Sequence, residues 1–139
     1  MKQYFLSTFI SILVFSFLSS VKAEADIETL TLLSRLAGTA SGLTHAANQL
    51  EGEDEIKACF FIGSDQKNLE QAHYEAMRLN LTEVVRSLNH AVELVENKPV
   101  NYCTSFVYRN NNSRRVAVEA LRNAIPHVVL ASKLIPISN

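Results

Sequence analysis

Tryptophan is absent from this chain, and five of its eleven Phe and Tyr residues lie within the first 17 positions. Only Phe60, Phe61, Phe106, Tyr74, Tyr102 and Tyr108 remain beyond them. That is too few aromatic platforms for a typical sugar or single-stranded nucleic-acid site. Four Gly and three Pro supply too few turns for an all-β fold. No sign of charge dominates: 13 basic residues face 14 acidic ones, a net −1, which excludes a basic nucleic-acid binder. Two cysteines cannot staple a disulfide-dense mini-protein, and no Cys-x-x-Cys is present for redox chemistry or covalent haem.

The motifs of common chemistry are missing too. There is no Gly-rich phosphate loop, no Gly-x-Ser-x-Gly elbow and no His-Glu-x-x-His. Glu70 and His73 form one Glu-x-x-His pair, whereas a carboxylate-bridged di-iron bundle needs two, plus two further inward Glu. His90 sits between Arg86 and Glu93 at helical spacing, which reads as surface pairing. No catalytic residue, metal site or cofactor is assigned, and a non-enzymatic chain is expected.

One long apolar run is present, from Tyr4 to Leu18, after Lys2 and before Ser19-Ser20-Val21-Lys22-Ala23. A charged start, an apolar middle and a small-x-small end describe a secretory signal peptide cleaved after Ala23. The run is short against the ~20 residues that a membrane-spanning helix needs. Residues 1–23 are therefore read as an address and residues 24–139 as one domain. The expectation is an exported protein, periplasmic or extracellular, with no stable membrane insertion after cleavage. The remaining 116 residues carry 11 bases and 14 acids.

What is there has helical period. Leu33, Leu36, Ala40, Leu43, Ala47 and Leu50 recur every three or four residues over 26–50. Tyr74, Met77, Leu81, Val84, Leu88, Ala91 and Val95 do so over 65–97, and Ala117, Leu121, Ala124, Val128, Ala131 and Ile135 over 113–135. Pro126 should kink or restart the last helix. A brief strand is conceivable only around Phe106. The fold class expected is all-α, a small antiparallel bundle of about four to five helices.

The middle run sets a geometric problem. One helix over 66–97 would be about 48 Å long and would hold Cys59 and Cys103 at opposite ends. A break near Asn80 would resolve it, because Asn tolerates the left-handed conformation and Thr82 with Glu83 makes a good helix start; the alternative is one long helix, since the 3-4 spacing runs through Asn80 without a slip. Two antiparallel helices then bring the cysteines together, and an exported chain with two cysteines is expected to pair them.

Two features suggest binding. No charged residue occurs from Leu36 to Leu50, and Ser34, Gly38, Ser41, Gly42, His45 and Gln49 share the face opposite the Leu stripe. That small, uncharged face is a candidate surface for a protein partner or a second copy. Charge is also divided: residues 24–75 carry ten acids and three bases, residues 76–139 four acids and eight bases. Arg109, Arg114 and Arg115 form a candidate anion patch, the last two opening a helix capped by Ser113. The functional expectation is macromolecular binding, as an adaptor, an inhibitor or immunity-type protein, or a secreted effector. The alternative is a carrier of haem, metal or lipid in the bundle core.

Overall fold

The computed structural model describes residues 17–105 and 109–137, with side chains from Ile27 onward. The residues around Phe106 and most of the apolar run lie outside it. The described chain is helical, with no strand among the described residues. Helix α1 spans Phe17–Glu51, α2 Glu55–Arg78 and α3 Thr82–Val95; a π-helical turn, Glu96–Val100, leads into the short α4, Asn101–Thr104, and α5 spans Asn111–Leu134.

The four long helices close a ring in which α1 packs on α2, α2 on α3, α3 on α5 and α5 on α1. Cross-helix pairs fix the antiparallel order. Arg35 meets Glu75 and Glu28 meets Arg78 between α1 and α2. Ser87 of α3 meets His127 of α5, and Arg122 of α5 meets Glu51 of α1. This is an up-down-up-down bundle.

Both hairpin turns use one device. After α1, the Asp54 N–H donates to the Gln49 carbonyl and the Glu53 N–H to the Leu50 carbonyl; after α2, Leu81 and Asn80 donate to Ala76 and Met77 in the same pattern. The residue in the left-handed conformation is Glu53 in the first turn (φ 66°) and Asn80 in the second (φ 59°). That is the Schellman closure of a helix end. The break at Asn80 is therefore as the cysteine argument required. Cys59 and Cys103 are disulfide-bonded, their Cα atoms 5.5 Å apart.

Several local expectations are corrected. Leu81, not Thr82, occupies the cap position of α3, and no side chain caps that end. Asn110, not Ser113, caps α5, its side chain accepting from the Ser113 N–H. Arg114 and Arg115 thus sit a turn deeper in the helix, past the end where cations are least favourable. Helix α5 runs continuously through the exposed Pro126, so it does not restart there. Pro99 has the larger effect: it supplies no N–H, and the ladder widens to a π-turn around it.

The core is filled by Leu32, Leu36, Leu43 and Leu50 of α1, Ile62 and Leu69 of α2, Val84, Leu88 and Val95 of α3, and Leu121 and Val128 of α5. Alanines at 58, 72, 76, 91, 117, 124 and 131 are also buried and let the backbones approach closely. The stripe expected on α5 is buried throughout. Tyr74 and Met77, expected in the core, are 60% and 54% exposed. The turn at Asn80 resets the helical phase, so α2 buries Ala72 and Ala76 in their place.

Candidate functional site

The acidic cluster and the arginine cluster answer each other. Glu51 pairs with Arg122 at 2.7 Å, Glu53 with Arg114 at 3.6 Å and Glu55 with Arg109 at 3.3 Å. Asp54 caps α2 by accepting from the Lys57 N–H. Arg109 also donates to the carbonyls of Tyr102 and Cys103, and its guanidinium lies 5.5 Å from the centre of the Tyr102 ring. The Tyr102 hydroxyl donates to Glu55, and burial followed by that bond pushes its titration upward. Arg115 donates to the Asn112 side chain. The hollow beside Arg114 and Arg115 also includes Glu51. The division of charge along the chain thus becomes a network joining the α1–α2 turn to α5. The candidate anion patch is largely spent on the protein's own acids and carbonyls.

The small-residue face of α1 divides in two. Ser34, Gly38, Ser41 and His45 are exposed, and a Cβ built on Gly38 would meet nothing within 4 Å. His45 stacks on Phe61 of α2 at 5.7 Å, beside Phe60, which is 71% exposed. A shallow hollow of about 470 Å³ lies at the start of this face, lined by Ile27, Leu30, Thr31, Ser34 and Arg35. Gly42 and Gln49 are half-buried instead. A Cβ on Gly42 would lie 2.2 Å from Asp65 Oδ1 and 2.6 Å from Oδ2, so this glycine serves the α1–α2 contact.

Asp65 itself carried no signal in the sequence. It is 4% exposed, and its Oδ2 is buried without a hydrogen-bond partner among the described residues. Burial pushes its titration up to about 7. Only a glycine opposite leaves room for that carboxylate, so the pair Gly42–Asp65 is visible in three dimensions and not in one.

A polar cleft of about 450 Å³ separates the π-turn from the start of α5, lined by Asn97, Lys98, Asn101, Tyr102, Asn112 and Ser113 among others. Its amides offer donors and acceptors, and Lys98 supplies a cation. No group of three or more His, Cys, Asp or Glu able to hold a metal ion occurs among the described residues. No helix searched among them is long and apolar enough to cross a membrane. His90 does not pair with Arg86, which is held by Glu83; it stacks on His127 of α5. The chain matches no protein-family model, no curated protein and no solved structure.

Proposed function

We propose that this chain is an exported helical bundle that works by binding another macromolecule through the outer face of α1. One observation carries the reading: Ser34, Gly38, Ser41 and His45 form an uncharged exposed strip on which, among the described residues, no other element rests at Gly38. A solvated helix face ordinarily carries Lys and Glu, as α2 does with Lys67 and Glu70. A strip of small residues instead lets a second backbone approach closely. Exposed Ile27 and Leu30 extend it with apolar area. Export is supported by the charged, apolar and small-x-small order of residues 1–23 and by the disulfide, which fits an oxidising compartment.

The test compares the protein with Gly38→Arg and Ser41→Arg, which place charge on the strip without touching the core. Sedimentation and co-purification from the exporting host read the outcome. Association lost in both variants, with the melting temperature kept or raised, supports the reading. Unchanged sedimentation and an unchanged set of co-purifying proteins would remove α1 as the binding face. Gly42 is not a suitable position, because substitution there disturbs the fold itself.

A further inference from the structure

His90 of α3 and His127 of α5 are 37 residues apart in sequence, yet their ring centroids lie 5.1 Å apart with planes inclined by 30°. Neither imidazole has a hydrogen-bond partner among the described residues. His90 is exposed and His127 half-buried, which leaves solvent access to both. The backbone beneath is pinned: the Ser87 hydroxyl, one turn before His90, donates to the His127 carbonyl at 2.6 Å.

The spacing is informative. Two imidazoles on one tetrahedral zinc ion, with Zn–N bonds of about 2.0–2.1 Å, place their ring centres roughly 5 Å apart. The observed separation matches that span before any ion is bound, and the two rings come from different helices. The rings are stacked and imidazole nitrogens bind a metal in the ring plane, so closing on an ion needs both rings to turn about their side-chain bonds. The competing thiolates are absent, since both cysteines are tied in the disulfide.

We infer that His90 and His127 form a two-histidine site for a divalent transition-metal ion, Zn²⁺ being the probe, that clasps α3 to α5. Water completes the coordination, because no third His, Cys, Asp or Glu joins the pair among the described residues. The site is thus open, with positions free for an exogenous ligand. An imidazole pair suits Zn²⁺, Cu²⁺ and Ni²⁺ and discriminates against Ca²⁺ and Mg²⁺, which demand oxygen ligands.

The experiment is calorimetric titration of the purified protein with Zn²⁺, repeated on His90→Asn and His127→Asn and on the controls His45→Asn and His73→Asn. The expected result is one ion per chain, reversed by chelator. Loss of an outer-shell partner alone costs about 10–100-fold in affinity, so removing either ligand should weaken binding at least that much. The controls should bind as the unaltered protein does. A second readout needs no variant: in the NMR spectrum the His90 and His127 ring signals should shift together and saturate at one equivalent. Absence of binding, unchanged affinity in both variants, or ring shifts confined to His45 or His73 would overturn the assignment.

Discussion

Asp65 is the residue whose chemistry departs most from its surroundings. Its neutral acid is favoured in the fold and its carboxylate in the unfolded chain. Below about pH 4 both states are protonated and the site has no cost. As pH rises from about 4 to about 7, the unfolded chain ionises while the folded one does not, so stability falls; above about 7 it levels off. The full shift would amount to about 4 kcal/mol, and relaxation of the structure around the ionised carboxylate reduces it to roughly half. Asp65→Asn should therefore raise stability by about 2 kcal/mol at pH 8 and leave it nearly unchanged at pH 4, as read by urea unfolding at the two pH values. The facing glycine gives the complementary test. Gly42→Ala pushes a methyl into the carboxylate and should cost about 1–3 kcal/mol. Gly38→Ala meets open space and should gain about 0.5–1 kcal/mol from helix propensity alone. Denaturant midpoints of the two variants, moving in opposite directions, check the assignment of one glycine to the packing and the other to the surface.

At the scale of elements, the turns and the staple decide how the helices stand. Asn80 holds the left-handed position that splits the middle run. A β-branched residue there meets its own carbonyl, so Asn80→Val should lose about 1–2 kcal/mol whereas Asn80→Gly should lose nothing. The disulfide ties α2 to α4 across a separation of 44 residues. Closing a loop of that length is worth about 4 kcal/mol in the chain-entropy account, and a reduced or Cys59→Ser, Cys103→Ser protein should melt correspondingly lower. The sequence made this break legible only indirectly. The 3-4 spacing runs through Asn80 without a slip, and it was the need to join Cys59 to Cys103 that called for two helices. That same unbroken spacing misplaced Tyr74 and Met77, since periodicity counts residues along one axis and the turn starts a new one. The left-handed Glu53 had no signal at all, because Gly52 beside it is the residue that pattern reading would choose.

Across the whole molecule, folding turns a chain divided by charge into one that is internally matched. Glu51, Glu53 and Glu55 at one turn meet Arg122, Arg114 and Arg109 from α5 and the segment before it. These pairs are unequal in weight. Arg109 is mostly enclosed and serves Glu55 and two carbonyls, so Arg109→Ala should cost about 2–3 kcal/mol by leaving those acceptors unsatisfied. Arg115 is exposed and among the described residues bonds one neighbouring side chain, so Arg115→Ala should fall within about 0.5 kcal/mol of the unaltered protein. Thermal melts of the two variants at one salt concentration decide between a structural network and a free cationic surface.

The sequence by itself determined the all-α class, the period of each helix, the core stripe of α5 and the need to bring Cys59 beside Cys103. These follow from local rules, since hydrophobic period and chain reach act along the chain. Only the tertiary structure decided that Gly42 and Gln49 are half-buried while the rest of the small-residue face of α1 is exposed, that Gly42 makes room for Asp65, that the arginines are answered by the acidic turn, and that His90 meets His127. Each of those depends on the rotation and register of one helix against another. That register is set by the summed packing of the whole bundle and is written in no single segment.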